Sequence, residues 1–293
     1  MPLPTVSVVM PVHAKPQRLL LTLEGLKGQR ANCRMEVILA ADAPTAEVQE
    51  ILRDQDSARV VEVGGVGRAG ARNAGARAAS GELLVFIDDD ILAEGDFVER
   101  HLQAQSVQPG LVRGRLRELV GFLGEDDPAK PGGAIPAIDA LALREGRWQP
   151  PEGLRRVANT LSQAIEHPDA AVWPWLAAGA NLSIPRRCWE RIGGFDVQYG
   201  TRWGMEDIDF AFRLWRAGVP IGFASAAQGF HLSHAESGRW DGHEHNLERF
   251  RRLAACPEAD ALDCLLSARG SVAAYRSRID QIRLQGRPSF APA

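Results

Sequence analysis

At 293 residues, with 45% apolar and 24% charged side chains, the chain is long enough to bury one substantial core and too ordinary in composition to be disordered or fibrous. Lys plus Arg number 34 against 37 Asp plus Glu, a net charge of -3 with no block of like sign, which excludes a general electrostatic grip on nucleic acid. No apolar run approaches the ~20 residues of a membrane span, so membrane contact is expected to be peripheral at most. Cys33, Cys188, Cys256 and Cys264 are far apart and form no C-x-x-C pair, and no signal-type segment precedes the first apolar run. A reducing, cytoplasmic setting is expected.

Residues 6–12 (VSVVMPV) read as a short β-branched strand stopped by proline, and the leucines at 19, 20, 23 and 26 that follow read as a helix. A second strand over 35–41 ends at Asp42, and Pro44-Thr45 opens an amphipathic helix to about Leu52. The third strand, 59–63, enters a glycine-rich segment and an Ala-rich helix from about 69 to 79, closed by Ser80-Gly81. A fourth strand, 83–87 (LLVFI), runs into Asp88-Asp89-Asp90. Repeated strand–helix alternation predicts an α/β fold with a mostly parallel central sheet and helices on both faces. Beyond about 120 the periodicity fades, and 121–160 is expected to be an insertion or mobile loop. Pattern returns over 173–240, dense in Trp, Gly and paired acids, and from Asn246 the chain reads as surface helices.

Gly65-x-Gly67-x-x-Gly70 has the spacing of a dinucleotide fingerprint, with a strand before it, a helix after it and acid about 20 residues on. That acid, however, is three consecutive carboxylates, where a single ribose contact asks for one. Carboxylates ~4 Å apart repel by about 4 kcal/mol at an effective dielectric near 20, so the cluster calls for a cation, and a hard divalent ion is the obvious partner. The glycines are therefore expected to form a tight strand-to-helix turn.

Taken in order, VSVVMPV at 6–12, Asp42 after the second strand, GARNAG at 70–75, GELLVFIDDD at 81–90 and WGMED at 203–207 resemble the nucleotide-sugar glycosyltransferases of family 2, with the GT-A fold. The resemblance runs over about residues 5–235, and its C-terminal part is similar to a galactosyltransferase-like acceptor motif. It implies a GT-A domain over 1–245 and a helical C-terminal extension over 246–293. Within the domain it implies a nucleotide-binding half to about 120 and an acceptor half over about 161–245. Asp88 and Asp90 would hold Mn2+ or Mg2+ against the donor's diphosphate, Asp90 as the direct ligand and Asp88 through ribose or water, with Asp88 and Asp89 also among the nucleotide-binding residues. His231 would complete the metal site, with His234 as runner-up. Pro11, His13 and Asp42 match positions that hold the nucleobase and ribose, although relatives usually have an aromatic or Asn near His13, Asn near Ala14 and two acids at 41–42. Arg72 matches an arginine near the diphosphate, with a salt bridge to the aspartates as the plainer alternative.

On the acceptor side, the resemblance makes Asp207 the general base that takes the proton from an incoming hydroxyl, Glu206 a ligand of acceptor hydroxyls and Asp209 structural. A plain N-cap role remains open for Glu206 and Asp207. Trp203 and Trp175 would stack on sugar, with Trp173 or Trp175 alternatively in the core. His243 and His245 read as solvated loop. The resemblance thus implies an inverting, metal-dependent transfer of a sugar from a nucleotide-diphosphate donor, UDP-linked by default, to a glycan or small-molecule hydroxyl. The alternatives are a catalytically silent nucleotide-sugar binder and a metal-dependent nucleotidyltransferase.

Overall fold

In the computed structural model, residues 3–120, 138–150, 155–232, 242–267 and 269–286 are described here. His234 and most of the expected insertion lie outside them.

The first half is a repeated strand–helix unit: β1 (Thr5–Val12), α1 (Pro16–Lys27), β2 (Arg34–Asp42), α2 (Ala46–Arg53), β3 (Arg59–Val63), α3 (Gly67–Ala78) and β4 (Leu83–Ile87). β1 pairs in parallel with β2 and β4, and β2 with β3. Side chains alternate across β1 as the pleat demands: Val6, Val8 and Met10 face Leu19, Leu23 and Val98 on one side, while Val9 joins Ala76 and Phe86 on the other. Both faces are covered, which is why these strands are apolar throughout.

Past β4 the sheet is mixed. β5 (Ile91–Ala93), α4 (Phe97–Val107) and β6 (Leu111–Val120) are followed by α5 (Ala140–Arg144), β7 (Arg155–Val157), α6 (Thr160–Glu166), β8 (Asn181–Pro185), α7 (Arg186–Arg191), α8 (Glu206–Arg216) and β9 (Ile221–Leu232). The strand order is β3-β2-β1-β4-β8-β6-β9-β5, with β7 on β6. β8 runs antiparallel to β4 and β6, while β6 and β9 are parallel.

The tail corrects one expectation. Its helices, α9 (His243–Ala254), α10 (Pro257–Asp260), α11 (Asp263–Leu266) and α12 (Val272–Leu284), belong to the largest core cluster and are not merely surface helices. Phe250, Tyr275 and Ile279 are fully buried, and Tyr275 donates its hydroxyl to the carbonyl of Glu258. Each such side chain taken from water contributes about 1.5–3 kcal/mol, so the tail is part of what holds the sheet's second half together.

Candidate active site

The carboxyl ends of parallel strands gather loops and helix starts at one edge, where ligands bind in open α/β sheets. Here that edge opens into a cleft of about 930 Å³. Pro11 lies near the end of β1 and His13 just past it, Asp42 ends β2, Arg72 sits on α3, and Asp88, Asp89 and Asp90 follow β4; all of them line the cleft. Glu118, Trp203, Glu206, Asp207 and His231, from later in the chain, line it as well.

The glycine motif is a turn, as expected. Gly65 and Gly67 have φ of +71° and +77°, and a Cβ on Gly67 would lie 2.1 Å from the carbonyl oxygen of Gly200. The turn wraps the Asp42 carboxylate, which accepts the backbone N–H groups of Val66 (2.7 Å) and Gly67 (2.9 Å) at the start of α3. His13 bonds through Nδ1 to the Asp42 carbonyl at 2.8 Å. Asp42 thus braces the turn and the His13 ring as well as lining the cleft. The residue after it, Ala43, has φ +48°, a strained conformation for a side chain with a Cβ.

Each carboxylate of the aspartate cluster has a positive partner. Lys15 Nζ lies 2.6 Å from Asp90 Oδ2 and 3.3 Å from Asp89 Oδ1. Arg72, 1% exposed, bridges Asp88 (2.8 Å) and Glu206 (2.9 Å), the salt bridge that is the plainer of its two alternatives. His231 lies between Glu118 (Nδ1, 2.6 Å) and Asp90 (Nε2, 3.1 Å). Burial alone would discharge that imidazole, but the carboxylates of Asp90 and Glu118 outweigh it and push its pKa up to about 10. Burial opposes charge on Lys15 and Arg72 as well, and the surrounding carboxylates keep both cationic. Asp89 is raised by burial and by Asp90 and Asp88, against the pull of Lys15.

In the same cleft, α8 begins with Glu206 and Asp207 directly after Met205, whose φ of +77° is unusual for a residue with a side chain. Strain at the entry to an acidic helix start is typical of a site whose geometry the fold imposes. Asp207 is held by the N–H of Gly179 on Oδ2 (2.9 Å) and of Ile208 on Oδ1 (2.8 Å). Burial, then the neighbouring Glu206, raises its pKa to about 7 against the pull of Arg72 and the two N–H groups. Gly179 is itself constrained: a Cβ there would stand 2.6 Å from the Arg72 guanidinium.

Two expectations are corrected. Trp175 is 2% exposed with its ring against Phe212 and Phe250, so it is core and cannot stack on a sugar; Trp173 donates its indole N–H to Ala164 and packs on Tyr275. Trp203 does line the cleft. His243 is buried against Trp203 at the start of α9, and His245 is exposed on that helix, so neither is loop. Asp209 is structural, paired with Arg213 at 2.6 Å. Sequence reasoning missed Lys15, Glu118 and Asn246. Lys15, three residues past the β1 end, carried a positional signal; Glu118 faces His231 only through the β6–β9 register.

The divalent ion that the resemblance implies meets a mixed reception. Carboxylate oxygens of Asp88 and Asp90 with the His231 imidazole are a donor set suited to Mn2+ or Mg2+. Among the described residues, however, no three His, Cys, Asp or Glu side chains form a ready-made cage, and the Lys15 ammonium holds the place beside Asp90 Oδ2. The donor chemistry fits, provided that Lys15 yields and that His231, held as an imidazolium by Asp90 and Glu118, gives up a proton.

Fold and cleft together define a GT-A protein: an open α/β sheet with strand-end aspartates facing an acidic helix start. In comparisons with solved structures it is similar to S. aureus TarS 1-349 in complex with UDP-GlcNAc, with a TM-score of 0.60 at 14% identity over 95% of this chain and 71% of that one. Residues 7–128 match the model of glycosyl transferase family 2, and residues 159–235 match one described as the N-terminal domain of galactosyltransferase. The chain belongs to glycosyltransferase family 2. It is 30% identical over 261 residues to validoxylamine A glucosyltransferase of Streptomyces hygroscopicus subsp. jinggangensis (strain 5008), covering 83% of this chain and 58% of that protein. It is 24% identical to chondroitin synthase of Escherichia coli over 77% of this chain and 34% of that protein. The chain therefore spans little more than half the length of its first curated relatives. No helix among the described residues is long and apolar enough to cross a membrane.

Proposed function

We propose that this chain moves a sugar from a nucleotide-diphosphate donor, UDP-linked, to a hydroxyl acceptor with inversion at the transferred carbon. One observation carries the reading: a single cleft is lined both by the strand-end aspartates and by Asp207, whose pKa is raised to about 7. A base poised near the working pH can take the acceptor's proton as the new glycosidic bond forms and the bond to the diphosphate breaks. The two N–H bonds to Asp207 orient its carboxylate, while Arg72 holds Glu206 and Asp88 in fixed relation.

Asp88, Asp90 and His231 are the residues that would hold Mn2+ or Mg2+, which when bound offsets charge on the departing nucleoside diphosphate. Trp203 and Glu206 line the same cleft and would meet the acceptor there. Free thiols at all four cysteines support a cytoplasmic setting. The test is a panel of UDP-sugars incubated with hydroxyl acceptors, aminocyclitols and glycans among them, and followed by UDP release and the anomeric configuration of the product. UDP release with inversion supports the reading. Binding without turnover, or pyrophosphate release from nucleoside triphosphate and sugar phosphate, overturns it.

A further inference from the structure

The Lys15 ammonium is a charged contact of the aspartate cluster to which the proposed transfer gives no part. Lys15 stands immediately before α1, and α1 is itself tied to the cluster, since Thr22 Oγ1 donates to the carbonyl of Asp89 at 3.2 Å. The groups around the ammonium are Asp88, Asp89 and Asp90 from the turn after β4, with Glu118 of β6, His231 of β9 and Arg72 of α3 lining the same cleft. The side chain of Asp90 is 2% exposed and that of Asp89 is 8%, so without Lys15 two sheltered carboxylates would lose their nearest cation. All three cations stand between two acids, but Lys15, with a side chain 23% exposed, carries its charge on four single bonds. It therefore has more ways to swing that charge to another partner than the planar guanidinium of Arg72, whose side chain is 2% exposed, or the His231 ring.

A cation that reaches Asp90 has to displace this ammonium. The displaced ammonium needs an anion, and the diphosphate of a donor bound in the cleft is the one at hand. We propose that Lys15 is an exchangeable counterion: it holds Asp89 and Asp90 in the donor-free protein, cedes Asp90 to a divalent cation and pairs with the donor's diphosphate instead. Metal and nucleotide then bind with positive coupling, because each gives the other's displaced charge a partner. This rests on the nucleotide-sugar reading above.

The experiment titrates Mn2+ alone into the full chain, followed by the electron paramagnetic resonance signal of free Mn2+, and repeats it with UDP, for wild type and Lys15→Met. Without nucleotide, Lys15→Met should bind Mn2+ about tenfold more tightly than wild type, since its aspartates have lost their competitor. UDP should tighten Mn2+ binding about tenfold in wild type and less than about threefold in the variant. Lys15→Arg, which keeps the charge, should leave the Mn2+ affinity near that of wild type. Should Lys15→Met be too unstable at rest, its melting temperature should rise more with Mn2+ than that of wild type. Equal or weaker Mn2+ binding by Lys15→Met, or no extra Mn2+ stabilisation, overturns the proposal. Absence of UDP binding under every condition would instead count against the nucleotide-sugar reading, because the nucleotide-free comparison does not depend on it.

Discussion

Asp207 shares a helix start with Glu206 and is sheltered by the cleft wall, so it keeps its proton to about pH 7 where an exposed carboxylate loses it near 4. Only the deprotonated form can act as a base. The kcat/KM of transfer should therefore fall about tenfold for each pH unit below about 7 and level off above it, as a pH–rate profile would show. Arg72 is the other decisive residue. Replacing it by Met strands Asp88 and Glu206, one nearly buried, and should lower stability by about 3–5 kcal/mol in urea unfolding. At this scale much of the site was legible: acids at strand and helix ends, with His231 at the expected interval, carry their chemistry in residue type and spacing. Lys15 and Glu118 were not, because their partners lie 75 and 113 positions away and only the sheet brings them together.

The element that presents Asp207 is supported from outside itself. Asn246 of α9 directs its side-chain amide at the carbonyls of Gly204 (3.0 Å), Arg202 (3.2 Å), Tyr199 and Trp203 (both 3.4 Å), so one side chain fixes the loop that leads into α8. Asn246→Ala should leave UDP affinity within about twofold and lower kcat/KM about tenfold, measured by calorimetry and by UDP release, because a misplaced base costs rate and not donor contacts. The four strand–helix units were readable from alternation and from their stops. The mixed half of the sheet was not, since β8 and β6 pair across long separations that periodicity does not encode. The misplaced Trp175 has the same origin: its partner Phe250 comes from the tail, and a Trp beside a proline and a glycine-rich segment looks alike in a pocket and in a core.

For the molecule as a whole, the tail is a wall of the same core as the acceptor side. Trp173 rests on Tyr275, Trp175 on Phe250, and Leu266 reaches the cleft lining. A chain ending at residue 241 should expose these surfaces and lose cooperative thermal unfolding, with dye-binding apolar surface already present at 25 °C. The central claim, that donor and base share one cleft, is tested most directly by UDP release from a UDP-sugar with acceptor, comparing wild type with Asp207→Asn while UDP binding is measured on both. Equal UDP affinity is expected, with release slowed by roughly 10²–10⁴-fold in the variant. Release within a few-fold of wild type, with UDP binding intact, would contradict it.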